Sequence, residues 1–488
     1  MSDILDISTY SGVAAPGSVG NPVTDTPTGD LRRKFNFGDR VSELSLSQDP
    51  FFRILSMVSK KPTDDPQFKF TERRGSFHKR YAYINGVTST FAVDGGGNAI
   101  ENTTGNTAYF QMYTDWNAAG NVSNITGQAS TTFAGTNSQP EFLMPGQVIK
   151  VNTNTTADST SSNGYQLVKI TDVDLNTPGY AKVTGVVIKP SGTSGDSVFL
   201  LDNDIAGISA TGTNNLSQEA LAPYKAYVIG TAFAEGSGYP ETWDDQPFST
   251  NYGRTQIFKT TCAMNNTDRA TVLKYEGNEW ARIWKEKLIE HKFDIEQSLL
   301  FGRQDNTYRT TQGAVDWIGQ YGNGFSLDIA TKTQDDFLDD LSSYLDPRYN
   351  DGMATVFFVS TAVYNWLHKL GGYFNNNLSI GSNFRADFAV MGKKKVMGLD
   401  ATTISTVYGD MNVVRNIHLD GTNVKMLGIN MKYCAYRPLV GNGINRDTSI
   451  YVGVQTLENS GVDRRVDQIL TEAGMEWCCP ETHAVWTA

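Results

Sequence analysis

The chain has 488 residues, 39% of them hydrophobic and 19% charged, a composition typical of proteins that fold around hydrophobic cores. No apolar run approaches the roughly 18 residues of a membrane-spanning helix, and the first residues lack the pattern of a secretory signal, so we expect neither. Four cysteines are too few for a disulfide framework and suit a reducing cytoplasm. The net charge of −11 excludes a bulk nucleic-acid binder, so any contact with DNA must be local.

Charge is unevenly distributed along the chain. Residues 31–80 contain 12 Lys and Arg against 6 Asp and Glu, whereas residues 95–240 contain 5 against 11. The first stretch is therefore a basic arm and the second an acidic block. Because DNA repels an acidic surface, we expect any contact with DNA to avoid the acidic block.

The N-terminal part of the chain predicts little structure of its own. Residues 1–30 are rich in Gly, Pro, Ser, Thr and Asp and have no hydrophobic period, so any order in them should come from a neighbouring molecule. Residues 39–60 predict a short amphipathic helix interrupted at Pro50. Residues 68–83 predict an extended segment, because aromatic residues recur there at alternating positions.

Residues 94–224 predict a β-rich module inserted into a longer extended region. Thr, Ser, Asn and Gly dominate this stretch, and short alternating runs are separated by turn clusters. The runs are Gln147–Val151, Tyr165–Ile170, Ala181–Ile188 and Ser197–Leu201. Several short strands at regular spacing indicate a small β-sandwich or barrel. Residues 225–260 then resume an extended pattern.

The strongest helical pattern in the chain lies between Asp268 and Phe301. Thr267 suits the N-cap and Gly302 the C-cap, and apolar residues recur on one face at 100° per residue. The predicted helix, 268–301, would be on the order of 50 Å long and should lie across a domain surface. Its expected core residues are Trp280, Trp284, Leu288, Ile295 and Leu299.

The remaining residues predict a mixed α/β region. Thr333 should cap a helix that ends before Pro347, and Ser360 should cap a helix that Gly371 and Gly372 close. The predicted strands are Thr355–Val359, Met411–Ile417, Val424–Ile429, Met431–Tyr436, Ser449–Leu457 and Met475–Cys479. No internal repeat is found.

No pattern in the sequence predicts catalysis, a metal site or a cofactor. Gly95–Gly97 lacks the Lys of a phosphate-binding loop, and the glycines around Gly322 have the wrong spacing for a dinucleotide fingerprint. Asp335 and Asp336 suit a helix N-terminus better than a metal. The five histidines are scattered, so we expect no catalytic residues, no metal ligands and no cofactor.

The concentrated basic residues have two interpretations. These residues are Arg32, Arg33, Lys34, Arg73, Arg74, Lys79 and Arg80. They could contact DNA phosphates, or they could form ion pairs with the acidic surface of a neighbouring copy. Because basic and acidic blocks occur in the same chain, the sequence favours ion pairs between subunits.

Several local sequences are similar to those of one protein family. Residues 44–70, LSLSQDPFFRILSMVSKKPTDDPQFKF, and residues 144–151, MPGQVIKV, resemble the opening and the inserted module of one branch of the major capsid proteins of tailed phages with the Hong Kong 97 fold. Residues 165–174 also resemble this inserted module. Residues 234–241 and 251–260 resemble the return path of its extended loop, and residues 279–302 resemble its long spine helix. The similarity runs from about residue 40 to residue 440.

The resemblance implies an α+β fold of the Hong Kong 97 type with six parts. These are an N-terminal arm (1–67), the strands of an extended loop (68–93 and 225–260), an inserted β-rich module (94–224), a peripheral domain (261–325) with the spine helix, an axial domain (326–440), and C-terminal strands that return to the peripheral domain (441–488).

The function implied by the resemblance is that of a structural subunit, not an enzyme. Such subunits self-assemble into the hexamers and pentamers of an icosahedral phage head that encloses double-stranded DNA. The implied partners are other copies of the chain, a portal protein, a separate scaffold, decoration proteins and packaged DNA, with no membrane. Assembly would take place in the host cytoplasm.

Two alternatives remain open at the level of sequence. An encapsulin-type nanocompartment shell has the same fold, although the acidic insertion and the extended-loop sequence argue against it. A carbohydrate- or receptor-binding phage protein would explain the region rich in Thr, Ser and Asn. Such a protein would lack the long helix and would usually contain repeats.

Overall fold

The computed structural model describes residues 49–73, 80–85, 104–105, 107–113, 130–133, 140–152, 165–176, 181–190, 214–217, 225–240, 248–272, 278–345, 350, 355–376, 388–396, 399–406 and 408–488. The helices are α1 (Pro50–Val58), α2 (Asn266–Ala270), α3 (Glu279–Phe301), α4 (Ala314–Tyr321), α5 (Gln334–Tyr344), α6 (Thr361–Asn376) and α7 (Leu457–Ser460), with 3-10 turns at Ile417–Leu419 and Pro480–Thr482.

The strands of the first half are β1 (Lys69–Glu72), β2 (Tyr81–Asn85), β3 (Thr107–Tyr113), β4 (Ser130–Phe133), β5 (Gln147–Asn152), β6 (Tyr165–Asp174), β7 (Ala181–Lys189), β8 (Asn214–Ser217), β9 (Lys225–Thr231), β10 (Ser249–Tyr252) and β11 (Gln256–Asn265). Those of the second half are β12 (Asn323–Ser326), β13 (Thr355–Val359), β14 (Phe388–Val396), β15 (Leu399–Thr406), β16 (Gly409–Arg415), β17 (Val424–Asn430), β18 (Cys434–Pro438), β19 (Val440–Gly441), β20 (Ile444–Asn445), β21 (Ser449–Gln455), β22 (Arg464–Trp477) and β23 (Ala484–Thr487). The predicted α+β class is confirmed.

A seven-stranded mixed sheet forms the centre of the second half. Its order is β12-β23-β17-β13-β16-β15-β14. Successive residues of a strand point to opposite faces, and on β13 the neighbours Phe357 and Phe358 are both buried. Phe358 belongs to the core shared with α1, α3 and α4, whereas Phe357 packs with residues of α5 and α6. The sheet therefore has a hydrophobic core on each face.

A second sheet contains β11, β22, β18 and β21 and lies against α3. The 14-residue strand β22 is its longest member and pairs along one side with β11. Along its other side it pairs first with β21 and then with β18. One long strand thus supports the whole sheet, and it is much longer than the predicted strand Met475–Cys479.

The spine helix α3 begins at Glu279 and not at Asp268, as the sequence predicts. The Asn278 side chain accepts the backbone N–H of Ala281 at 3.1 Å, so Asn278 is the N-cap in place of Thr267. The polar residues near Thr267 form only the short helix α2. The predicted end at Gly302 is confirmed, where a Cβ would lie 2.3 Å from the carbonyl oxygen of Ser298.

A closed barrel formed by β2, β3, β7, β6, β5 and β9 confirms the predicted barrel alternative. Its interior is filled by buried residues, among them Phe110, Ile149 and Val168. Two of its strands, β2 and β9, come from the ranges assigned to the extended loop, so the insertion does not close the barrel alone. A two-stranded ribbon of β1 and β10 connects the barrel to the rest of the subunit.

Other boundaries also differ from the prediction. Pro50 begins α1 instead of interrupting a helix, because proline is well suited to the first helical position. Helix α6 continues past Gly371 and Gly372 to Asn376. The hairpin β14–β15 has no counterpart in the prediction. Of the C-terminal strands assigned to the peripheral domain, β23 lies in the seven-stranded sheet.

Candidate assembly surfaces and the junction that supports them

The arm helix α1 is held against the spine helix by a buried carboxylate. The two oxygens of Glu296 on α3 accept the backbone N–H groups of Phe51 and Phe52 at 3.1 and 2.6 Å. Asn416, after β16, donates its side-chain N–H to the same carboxylate at 2.9 Å. Asp49, the residue before α1, makes no side-chain cap. Glu296 therefore caps α1 from another helix and links it to the central sheet.

Burial raises the pKa of Glu296 to about 7. The hydrogen bonds from Phe52, Phe51 and Asn416 oppose this rise because they stabilise the carboxylate, while the nearby negative charge of Asp49 adds to it. Arg53 pairs with Asp49 at 2.6 Å and partly offsets that charge. The junction therefore contains a carboxyl group that changes its charge near neutral pH.

A buried histidine links the middle of the spine helix to the second sheet. His291 forms hydrogen bonds of 2.8 Å with the hydroxyls of Thr260 on β11 and Thr471 on β22. Burial lowers its pKa, so the ring is neutral at physiological pH. His291 is a structural residue here, as its position on the apolar face of the helix suggests.

The C-terminal segment passes between the two sheets through an aromatic cluster. Trp477 stacks on Trp317 of α4 with ring centroids 5.6 Å apart, and the ring of His483 lies edge-on to both. His483 is fully buried, which lowers its pKa to about 3. Farther along, the Trp486 indole N–H donates to Asp340 of α5 at 3.1 Å. The last strands therefore contribute to both cores.

Two of the predicted basic residues lie in the described part of the chain. Arg73 follows β1, and its guanidinium is 5.7 Å from the ring centroid of Phe248. Arg80 precedes β2 in a left-handed backbone conformation and is exposed. The other five, Arg32, Arg33, Lys34, Arg74 and Lys79, lie outside the described residues. Ion pairing of these residues between subunits stays a prediction.

The side chains predicted to form the core of the spine helix are more deeply buried toward the end of α3 than near its start. Ile295 and Leu299 are fully buried, whereas Trp280, Trp284 and Leu288 are only half-buried in the single subunit. Only the second half of the helix therefore lies in the subunit core. The first half keeps part of its apolar face accessible to other molecules.

The acidic character of residues 95–240 does not come from the barrel strands. All five lysines of this range lie on β5, β6, β7 and β9: Lys150, Lys169, Lys182, Lys189 and Lys225. Seven of the eleven acidic residues lie outside the described residues. The ammonium of Lys225 is 4.0 Å from the ring centroid of Tyr81, and Lys150 lies over Tyr165. The barrel strands are thus richer in basic side chains than the overall charge of residues 95–240 suggests.

The described residues contain no group of three or more His, Cys, Asp or Glu side chains placed to hold a metal. Burial raises the pKa of the Cys478 thiol, and the negative charge of Glu476 adds to this rise, so the thiol is a poor nucleophile. No helix in the described ranges has the length and apolarity needed to span a membrane.

Two features of these surfaces escaped the sequence analysis. Lys393, Lys394 and Lys395 are consecutive on β14, an edge strand of the central sheet, and form a basic run comparable to Arg32–Lys34. The strand β21 was predicted, but its exposed position was not. Its sequence, SIYVGVQ, has no charged residue and by itself favours a buried strand, so the exposure could not be predicted from it.

Exposed apolar residues are concentrated in two regions of the described chain. The first is the stretch that leaves the barrel and returns to the core, with Ile229, Phe233, Tyr239, Phe248 and Tyr252. The second is the edge strand β21 and the turn after it. Apolar surface of this kind is typical of protein–protein contacts.

Comparisons with solved structures return proteins of phages and of a virus-like particle at low similarity. A protein of Microbacterium phage Oxtober96 is 13% identical with a TM-score of 0.36, and the match covers 53% of this chain and 80% of that one. The capsid of cyanophage P-SCSP1u is 12% identical with a TM-score of 0.34 over 53% and 80%. A virus-like particle from Pyrococcus furiosus is 10% identical with a TM-score of 0.29 over 49% and 78%. No curated protein matches the chain.

The family comparison covers nearly the whole chain. The family described as SU10 major capsid protein matches residues 21–488. This match confirms the resemblance to phage major capsid proteins and extends it through the C-terminal residues that the local sequences left unassigned. The chain belongs to the SU10 major capsid protein family and is a structural component of a phage virion.

Proposed function

We propose that the chain assembles into the hexamers and pentamers of an icosahedral phage head that encloses double-stranded DNA. The observation that carries this proposal is the aromatic surface of the extended loop. Tyr239 is fully exposed, and Phe248 and Ile229 are more than half exposed. Large apolar side chains in such positions usually find a partner surface, and in a shell the nearest partner is another subunit.

The junction around Glu296 and Trp477 supports the same role. It packs the arm helix, the spine helix and the C-terminal strands into one core, so these elements are held together as one unit. We propose that the second sheet with α3 is the peripheral domain, that the seven-stranded sheet is the axial domain, and that β1, β10 and the barrel form the extended loop.

The remaining partners are inferred from the capsid role. A portal protein, a separate scaffold and decoration proteins would associate with the shell, and assembly would take place in the host cytoplasm. Non-specific contact with packaged DNA would involve local basic residues because the whole chain is acidic. The lysines Lys393–Lys395 join Arg32, Arg33 and Lys34 as candidates for such contact or for ion pairs between subunits.

Assembly is tested by sedimentation velocity and negative-stain electron microscopy of the purified protein, with and without a co-expressed scaffold protein. We expect closed particles of uniform diameter. Tyr239→Ala should reduce particle yield, because it removes an exposed side chain proposed to contact a neighbouring subunit and leaves the hydrophobic cores of the subunit unchanged. Tyr308→Ala, at another exposed tyrosine on the loop after α3, is the matched control. A stable monomer under all salt and scaffold conditions would contradict the proposal.

A further inference from the structure

The ribbon of β1 and β10 joins the second sheet where two segments of the chain cross in direct contact. Residues 253–255, which connect β10 to β11, pass over strand β22 at Gly474. A Cβ added to Gly474 would lie 2.2 Å from the carbonyl oxygen of Arg254, closer than such atoms can approach. Because glycine has no Cβ, it alone permits the connecting segment to cross β22 at this distance.

A second glycine makes the same contact from the other segment. A Cβ added to Gly253 would lie 2.8 Å from the carbonyl oxygen of Met475, the residue after Gly474. The two backbones therefore touch at consecutive positions with no side chain between them. Since close-packed main-chain atoms cannot repack as side chains do, a different crossing angle would either separate the segments or make them overlap.

The ring of Phe68 fills the space beside this crossing. Phe68 directly precedes β1 and is 3% exposed. Its ring atoms lie 2.5 Å from the Cβ position of Gly253 and 3.1 Å from that of Gly474. The guanidinium of Arg437 on β18 lies 5.1 Å from the ring centroid and pairs with Glu476 of β22 at 3.2 Å. The ring is therefore held from the ribbon side and from the sheet side.

Hydrogen bonds attach both strands of the ribbon below the crossing. The backbone N–H of Gly253 donates to the carbonyl oxygen of Phe68 at 2.9 Å, and that of Thr255 donates to Pro66 at 3.0 Å. The Thr255 hydroxyl donates to the carboxylate of Glu472 on β22 at 3.1 Å. The two ribbon strands are thus bonded to each other and to the sheet at the same place.

We propose that Phe68, Gly253 and Gly474 are positioning residues that fix the angle at which the extended loop leaves the subunit. This role rests on the proposed shell function, in which the loop contacts a neighbouring copy of the chain. A loop held at one angle presents exposed residues such as Phe248 and Tyr252 in one place before the neighbour arrives. Docking then costs less conformational entropy than it would for a loop that swings freely at its root.

The angle is tested by a distance measurement in soluble full-length subunits. Nitroxide labels are coupled to p-acetylphenylalanine at Thr250 on β10 and at Glu286 on α3, two exposed positions, so the native cysteines stay unlabelled. Pulsed electron paramagnetic resonance should give one narrow distance distribution for the wild type. Gly474→Ala should shift this distance, because the added methyl group meets main-chain atoms, and Phe68→Ala should broaden it.

Controls separate a change of angle from a loss of folding. Phe70→Ala on β1, whose ring is 6.5 Å from that of Phe68, should keep the wild-type distribution, and Phe68→Leu should restore most of its narrow width. Circular dichroism checks the fold of each variant, and if Gly474→Ala does not fold, the two substitutions of Phe68 decide. A broad distribution in the wild type, or a wild-type distribution in Phe68→Ala, overturns the inference.

The same variants distinguish this inference from the shell function. The distances are measured without assembly, so they test the joint even if no particles form. Phe68→Ala should also lower particle yield, because its loop no longer reaches the neighbour at one angle. If wild-type particles form and Phe68→Ala gives the wild-type distance and yield, the shell function stands and the fixed joint is wrong.

Discussion

The carboxylate of Glu296 accepts the backbone N–H of Phe52 at 2.6 Å, so a residue of the spine helix caps a helix that lies 244 positions earlier in the chain. An N-terminal helix cap normally comes from the residue directly before the helix. Here that residue, Asp49, pairs with Arg53 instead. The position of the arm helix is therefore determined by tertiary structure, and the charge of a single buried group affects both helices.

Glu296 should make the folded subunit more stable at acidic than at alkaline pH. Its pKa is about 7 in the folded subunit and near 4.5 in the unfolded chain. The stabilisation is complete below pH 4.5 and is lost as the pH rises through 7, by roughly 3 kcal/mol. Glu296→Gln cannot ionise, so the difference in unfolding free energy between the variant and wild type should change over this range. Urea denaturation of dissociated subunits from pH 5 to 8 measures that difference.

The difference between variant and wild type is the quantity to compare, because other groups titrate in the same range. Burial lowers the pKa of His483 to about 3, so its contribution is lost as the pH falls below 6.5, opposite in sign to that of Glu296. This contribution cancels in the difference. Glu290→Gln, at an exposed position of the same helix, is the control. Parallel pH profiles for wild type and Glu296→Gln would show that Glu296 does not titrate near neutral pH.

Periodicity predicted those elements whose local sequence agrees with their final structure. Thr333 caps α5 with a complete capping box, in which its hydroxyl accepts the N–H of Asp336 and the Asp336 side chain accepts the N–H of Thr333. The buried strand Thr355–Val359 has the predicted bounds. Three strands of the barrel begin where the alternating runs begin, at Gln147, Tyr165 and Ala181.

The features that the sequence did not predict depend on residues far apart in the chain. Glu296 looks like an ordinary polar residue of a helix until α1 is placed on it. The partner strands of β22 come from three separate segments, so its length cannot be deduced from its own sequence. Gly371 and Gly372 favour a helix end locally, yet α6 continues through them. For Glu296 and β22, contacts between distant segments determine the outcome, which local preference does not predict.

Burial along the spine helix predicts a gradient of mutational effects. Leu299→Ala should destabilise the subunit by about 2–5 kcal/mol, because it opens a cavity in a fully buried site. Leu288→Ala should cost less, since Leu288 is half-buried. Trp284→Ala should stay below the roughly 3–5 kcal/mol of a fully buried tryptophan in the isolated subunit, yet reduce particle yield. Equal losses of stability at Leu288 and Leu299 in thermal unfolding would contradict the gradient.

The N-terminal arm should stabilise particles without stabilising the subunit. Deletion of residues 1–30 should lower the temperature at which particles dissociate and leave the circular dichroism of dissociated subunits unchanged. An exposed ion pair contributes only about 0–1 kcal/mol, but a shell repeats it many times. Charge reversal at Arg32 and Arg33 should act in the same direction, and added salt should reduce its effect. Truncated particles with wild-type stability would make the arm a passive tail.

The inserted module should lie on the outer side of the shell or at subunit boundaries. Over its residues 94–224, Asp and Glu outnumber Lys by 11 to 4, so packaged DNA would repel it. The lysines of the barrel strands are the groups best placed to meet carboxylates of an adjacent subunit. Limited proteolysis of DNA-filled particles should therefore cleave within residues 94–224 before it cleaves the core. Density for this module on the inner wall of the shell in an image reconstruction would contradict the prediction.

Electron cryo-microscopy of the assembled particles tests the shell function most directly. The proposed function predicts an icosahedral reconstruction in which the subunits form pentamers at the five-fold vertices and hexamers elsewhere. In the density, the seven-stranded sheet should lie toward the centre of each capsomer and the stem of β1 and β10 should lie against a neighbouring subunit. Open tubes, amorphous aggregates or a ring without icosahedral symmetry as the only assembled form, even with scaffold present, would contradict it.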